Sequence, residues 1–408
     1  MKHLSDDKIT QLIFSIASKA DMLKDLFLLD PQVVYLNHGS YGACPRPVFE
    51  CYQTWQRRLE LQPVQFLGVE LNNYLHLARE ELGKYINAPV NDLVYIPNAT
   101  HGINIVAHSL QLNPGDEILT TNQEYGACNY IWEFICNKTG AVYKRQPITI
   151  PFVSVKQIMN QLWQGVTNKT KVIFTSHITS PTSLAMPVQL ICQRAEQAGI
   201  LSVIDGAHAP GQIPVDLTSI QADFYVGNCH KWMLSPKGAG FIYAKPKVQE
   251  TIEPLIVSWG YHSKSTAPRE STFVDFLQWS GTKDPAAALS VPAAIAFMKE
   301  HNWDEVRASC YHILCDAMDK IGKLTGLSPL YPINSNFYHQ MATIPIPRIK
   351  NLDNLKHRLL SEYRIEIPYI EWENHHYLRL SIQGYNTPSD VDQLLTALNN
   401  LLPYMTFD

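Results

Sequence analysis

The chain has 408 residues, 46% of them hydrophobic, which is enough for two domains with sizeable cores. With 33 basic against 37 acidic residues the formal net charge is -4, and the basic residues are dispersed, so the electrostatic footprint of a nucleic-acid or anionic-membrane binder is excluded. The eight cysteines (44, 51, 128, 136, 192, 229, 310 and 315) form no CxxC pair and no Cys/His pattern of structural-zinc type, so no metal is expected.

From the N-terminus, MKHLSDDKITQLIFSIASK carries acidic residues before a short mixed segment and does not read as a signal peptide. No stretch reaches the roughly 18 uncharged apolar residues of a membrane span. A soluble, reducing, cytoplasmic setting is the expectation. Residues 46–86 are helical by apolar spacing and composition, with Pro45 and Pro47 near the start. Short apolar runs follow: DLVYIP (92–97), EILTTN (117–122), AVYKRQPI (141–148), KVIFTSHI (171–178), LSVIDGA (201–207), ADFYVGN (222–228) and GFIYAK (240–245). Helix-like stretches such as HGINIVAHSLQ (101–111) and VQLICQRAEQAG (188–199) lie between several of them. Strands alternating with helices predict βαβ units and a mostly parallel sheet covered on both faces. From about 286 the pattern changes to a long helix (284–301), helices over 302–325, strand-like segments at 340–347, 365–372 and 377–383, and a last helix at 388–401. The predicted organisation is an N-terminal segment 1–45 packing with the small domain, a large α/β domain 46–285, and a small α+β domain 286–408.

Ligands of open α/β sheets bind beyond the carboxyl ends of the strands. That rule brings Ser176, Asp205 and Lys231 to a single rim, since each follows an apolar run. Asp205 ends ILSVID, and Lys231 comes 26 residues later in NCHKW. A carboxylate and an amine delivered to one crevice suit pyridoxal phosphate (PLP): the amine forms a Schiff base and the carboxylate keeps the pyridine nitrogen protonated. Taken singly, a solvated lysine and a helix N-cap aspartate would account for the two residues. NATHGIN (98–104) opens a helix directly after a strand, where free N–H groups, the helix dipole and a threonine hydroxyl suit a phosphate; an ordinary Asn N-cap reads the same way. The glycines of DGAHAPG and SPKGAG match neither GxGxxG nor a Walker motif, which argues against a dinucleotide or ATP.

Seven segments in family order carry a resemblance: LDPQVVYLNHGSYGACPRPV (29–48), EYGACNY (124–130), SHITSPTSLAMP (176–187), DGAHAPGQIPVDL (205–217), ADFYVGNCHKWMLSPKGAGF (222–241), QWSGTKDPAAALSVPAAI (278–295) and LRLSIQGYNT (378–387). The sequence resembles the class V aminotransferase superfamily of PLP fold type I, and within it the isopenicillin N epimerase-like group. The resemblance implies a large domain with a mostly parallel seven-stranded sheet, a smaller α+β C-terminal domain, and PLP as cofactor. It implies that Lys231 holds the cofactor and shuttles the Cα proton, that Asp205 pairs with the pyridinium nitrogen, and that Tyr125 stacks on the ring face. Ala99, Thr100 and His101 would cup the phosphate, with Asn228 and His230 also reaching it. Ser180 and His208 would approach the phenolic oxygen, a structural histidine in a tight turn being the competing reading of His208. Thr282 would reach the phosphate of a neighbouring subunit, making a homodimer with shared sites. Arg379 would clamp the substrate carboxylate bidentately, and Asn37 and His38 would line the substrate pocket.

The reaction is left open by the same comparison. Cysteine desulfurases of this superfamily carry a nucleophilic cysteine before the carboxylate-binding arginine, whereas here no cysteine occurs between 316 and 408. The expectation is therefore an enzyme of epimerase or racemase type acting on an amino acid. The alternatives are a C–S lyase on cysteine, cystine or a cysteine conjugate, and a class V aminotransferase. A PLP-binding regulator is the reading from another class, but the chain has no spare segment for a DNA-binding module. Group likeness does not identify the side chain accommodated.

Overall fold

The computed structural model describes residues 23–262 and 271–406; residues 1–22, on which the expectation about a leader rests, lie outside them. In chain order the strands are β1 (Val34–Tyr35), β2 (Leu93–Ile96), β3 (Glu117–Thr121), β4 (Val142–Gln146), β5 (Thr170–Ser176), β6 (Leu201–Gly206), β7 (Phe224–Asn228), β8 (Gly240–Ala244), β9 (Met341–Ile346), β10 (Ile365–Glu366), β11 (Tyr369–Trp372) and β12 (His375–Ser381). The described residues divide into two units. The larger holds residues 47–180 and 184–298, the smaller residues 23–46, 181–183 and 299–406.

In the larger unit the seven predicted runs form one sheet in the order β2-β8-β7-β6-β5-β3-β4. All its pairings are parallel except those of β8, which runs antiparallel to both neighbours. Strands β7 and β8 are buried at every position, as continuous apolar runs in a sheet covered on both faces should be. Helices Ala99–Ser109 and Gly126–Thr139 contribute Ile103, Val106 and Trp132 to a core shared with Phe174 and Phe224 of the sheet. Gly102 lets the first of these helices lie against the sheet, since a Cβ there would meet Ile96 and Val226 at 2.6 Å.

The smaller unit has an antiparallel sheet, β11-β12-β9, with the helices Trp303–Thr325 and Pro388–Met405, and a short parallel pairing of β1 with β10. The single helix expected over 284–301 is two, Ala286–Leu289 and Val291–Glu300, with Ser290 between them. Pro292 has no N–H to extend the hydrogen-bond ladder across that point, and it is well placed only in the first turn of a new helix. Both pieces lie almost wholly in the larger unit, so the division falls after Met298 rather than at 286.

Candidate active site

The carboxyl ends of β5, β6 and β7 lie side by side. Ser176 pairs with Asp205, Asp205 with Val226, and Gly206 with Gly227. Strand β7 then passes directly into a loop that returns as β8. That loop is tied at its base, where the N–H groups of Cys229 and His230 both donate to the Ala239 carbonyl at 3.0 and 3.2 Å, and Ser235 N–H donates to the Cys229 carbonyl. Inside it, Leu234 N–H closes a turn onto the Lys231 carbonyl at 3.1 Å. The segment after β6 folds as a second turn, closed by Ala209 N–H on the Gly206 carbonyl and by the Gln212 amide on the His208 carbonyl at 2.8 Å. The two turns meet: Lys231 Nζ lies 3.2 Å from His208 Nε2.

Asp205 is buried beneath them. It accepts from Ala207 N–H at 2.8 Å through one oxygen and from the Cys128 thiol at 3.5 Å through the other. Burial raises its carboxyl above the usual carboxylate range, while the Ala207 hydrogen bond and the Lys231 charge pull the other way. A second carboxyl stands next to it. Glu124 accepts from Ser176 N–H at 2.8 Å, from Ser176 Oγ at 2.6 Å and from Thr121 Oγ1 at 2.6 Å. Burial is the main cause that pushes Glu124 up to about 7, and the Asp205 charge adds to it. Burial, Asp205 and Glu124 together push the Cys128 thiol well up, so it is a hydrogen-bond donor rather than a thiolate.

Helix Ala99–Ser109 follows β2, which β8 separates from β7. Its first N–H groups are held by side chains, Ala99 by Asn228 Oδ1 at 2.8 Å and His101 by Asn98 Oδ1 at 2.9 Å, which ties the helix start to the end of β7. His230 Nδ1 donates to the Ala239 carbonyl at 3.0 Å, and burial drives its ring down to about 4. Thr100 is half-buried at the same helix start. Thr282 is exposed in the loop before Ala286; the neighbouring Lys283 acts with burial to lower His101 of the same chain. Tyr125 is 48% exposed where β3 gives way to helix Gly126–Thr139, and Ser180 is half-buried a few residues beyond β5.

The remaining predicted residues belong to the smaller unit. Arg379 on β12 donates through Nη2 to Ser40 Oγ at 3.0 Å, Ser40 Oγ donates to Asn37 Oδ1, and Asn37 Nδ2 donates to Glu366 Oε1 at 3.0 Å. His38 is fully buried, with Nδ1 2.9 Å from the Tyr385 hydroxyl and Nε2 3.2 Å from the Gln383 amide. Sequence reasoning passed over Ser40, Glu124, Cys128 and Trp232. All four stand within the quoted segments, but the partners that bring them into the site are 24 to 339 positions away, beyond any local pattern.

The profile of the class-V aminotransferase family matches residues 44–394. The chain belongs to this family. It is 33% identical over 384 residues to an isopenicillin N epimerase from Amycolatopsis lactamdurans, covering 91% of this chain and 96% of that one. It is 26% identical over 381 residues to a hercynylcysteine sulfoxide lyase from Schizosaccharomyces pombe, covering 90% and 94%. Among solved structures a cysteine desulfurase from Escherichia coli superposes with a TM-score of 0.80 at 22% identity, covering 95% of this chain and 99% of that one. The fold is that of the PLP-dependent enzymes, and this class-V enzyme uses PLP. The donor set fits that cofactor: an amine on a braced loop, a buried carboxyl that a protonated ring nitrogen would hold ionised, and a helix N-terminus for the phosphate. Among the described residues no three His, Cys, Asp or Glu gather as a metal site, and no helix is long and apolar enough to cross a membrane.

Proposed function

We propose that this enzyme removes the α-proton of an amino acid and returns it to the opposite face, a reaction of epimerase or racemase type. The observation that supports it best is the convergence of Lys231, His208 and buried Asp205 on one rim, together with the 33% likeness to an epimerase over nearly the whole chain. PLP, when bound, supplies the electron sink that makes the Cα–H bond acidic. Lys231 would anchor it and carry the proton on its own face. Asp205 would hold the ring nitrogen protonated, with Cys128 fixing one carboxylate oxygen. Tyr125 would cover a ring face. Ala99, Thr100, His101, Asn228 and His230 would hold the phosphate, joined by Thr282 of a neighbouring subunit in a homodimer. Ser180 and His208 would donate to the phenolic oxygen. Arg379, oriented by Ser40 and Asn37, would bind the substrate carboxylate.

A C–S lyase acting on a cysteine conjugate is the second reading, favoured by the likeness to the sulfoxide lyase. A desulfurase that carries persulfide is disfavoured. The cysteine nearest Lys231 in sequence, Cys229, is fully buried with its thiol pushed far up, which is the wrong setting for a nucleophile. The deciding experiment incubates the holoenzyme in D2O with L- and D-amino acids, including cysteine, cystine and cysteine sulfoxides. Deuterium at Cα with inversion and no pyruvate supports the epimerase, while release of pyruvate refutes it in favour of the lyase.

A further inference from the structure

Trp232 follows the anchoring lysine in sequence but turns away from it, buried and aimed at the imidazole opposite. Its indole Nε1 donates to His208 Nδ1 at 3.4 Å, while His208 Nε2 lies 3.2 Å from Lys231 Nζ. Both Trp232 and His208 are buried. An indole N–H has no lone pair to offer in its ring plane and is only ever a donor, so Nδ1 must be the accepting nitrogen. A neutral imidazole that accepts at Nδ1 carries its proton on Nε2. That proton faces Lys231.

We propose that Trp232 is a positioning residue that sets the tautomer of His208, so that an Nε2–H confronts the Lys231 nitrogen and favours its uncharged, lone-pair-bearing form. The proposal rests on the reading of Lys231 as the anchor. An ammonium at Lys231 would need Nε2 as an acceptor as well, and an imidazole accepting at both nitrogens would be an anion. The indole contact therefore disfavours the charged amine and favours the one able to attack an aldehyde carbon. No further reactant is needed: the uncharged amine would supply the electron pair for the new C–N bond, and its two hydrogens would leave with the aldehyde oxygen as water.

The backbone is built to hold this arrangement. Gly211 has φ +90°, and a Cβ there would stand 2.2 Å from the carbonyl carbon of Trp232, so the turn carrying His208 seats directly on the tryptophan backbone. The Gln212 amide holds the His208 carbonyl from the other side. Asp205, Cys128 and, just before the lysine in the loop, His230 are among the titratable groups that feel the Lys231 charge. The hydrogen bonds Trp232 Nε1–His208 Nδ1 and His208 Nε2–Lys231 Nζ give a change at Trp232 a route to Lys231 through His208.

The test uses full-length protein stripped of PLP and follows its recombination with added PLP, by the yellow absorbance of the amine-bound cofactor, as a function of pH. Trp232→Phe keeps an aromatic ring and removes the N–H. The expected result is a midpoint of the rate profile raised by about one pH unit or more. In a His208→Leu background the same substitution should shift nothing further. An unmoved midpoint in folded Trp232→Phe, or an equal shift in the His208→Leu background, overturns the proposal. Should Trp232→Phe fail to fold, His208 alone decides. His208→Leu must raise the midpoint and His208→Gln, which keeps an N–H donor, must restore it; failure of either overturns the proposal. Lys231→Ala separates this from the anchor assignment: absorbance in that variant would overturn the anchor itself, whereas an unmoved midpoint with Lys231→Ala colourless overturns the role of Trp232 alone.

Discussion

Glu124→Gln tests the buried carboxyl pair beneath the site. Glu124 keeps its proton up to about pH 7 in the folded chain, against an ordinary value of 4.5, chiefly because it is buried. An unfolded chain gives up that proton near 4.5, so between these values the folded state binds more protons and stability falls as pH rises. The gap of roughly 2.5 pH units, at about 1.4 kcal/mol for each, amounts to roughly 3 kcal/mol, absent below pH 4.5 and complete above pH 7. Glutamine is the same size and does not titrate. Its carbonyl can accept the two Ser176 bonds, and its amide can donate to Thr121 Oγ1, which has a second lone pair beside the one taken by Gln123 N–H. Thermal unfolding of both proteins without PLP is followed from pH 5 to pH 8. The variant should gain on the wild type across that range by about 5–10 °C in Tm. Two parallel curves of Tm against pH would show that Glu124 is ionised in the folded state and would refute the reasoning.

Two further outcomes follow from the geometry. Arg379→Ala should raise KM for the amino acid roughly 10- to 100-fold, the worth of charge-assisted hydrogen bonds to a carboxylate, while the absorbance of bound PLP stays as in wild type. Loss of the cofactor in that variant would contradict the role given to Arg379. Gly211→Ala combines a left-handed φ with a Cβ 2.2 Å from Trp232, and should destabilise the larger unit by about 2 kcal/mol or more. An unchanged unfolding temperature would show that the two turns are not seated on each other as described.

The sheet was legible because its strands are short apolar runs, and such runs in a two-faced parallel sheet need no alternation to be seen. The expected rim followed from the place of each residue at the end of an apolar run, and Ser176 and Asp205 are register partners on adjacent strands. Direction was not legible: nothing in GFIYAK distinguishes an antiparallel β8 from a parallel one. The two-residue strands β1 and β10 are too short to carry a period, and their pairing joins residues 331 positions apart. Helix Gly126–Thr139 was hidden because Ile131, Trp132 and Ile135 are its only large aliphatic or indole core residues, with two cysteines filling the rest of the buried face. In the site, Lys231 and Asp205 could be chosen by their chemistry, because an amine and a carboxylate have roles with PLP that can be stated in advance. Glu124 and Trp232 could not. One acts through Ser176 and the other through His208, and those hydrogen bonds exist only once distant turns have come together.

The reversal of β8 has a consequence for how substrate choice can change over evolutionary time. In a parallel sheet the segment after β7 would depart into a crossover helix, and Lys231 would inherit whatever drift that helix underwent. Here the chain turns straight back, and the loop carrying Lys231 is stitched to the neighbouring strand within a few residues. The proposed carboxylate clamp, Arg379 with Ser40 and Asn37, is encoded in other stretches of sequence, near the two ends of the chain. Mutation could therefore recast the proposed clamp while the lysine proposed as the cofactor anchor stays put. One scaffold accordingly serves proteins named as an epimerase, a sulfoxide lyase and a desulfurase.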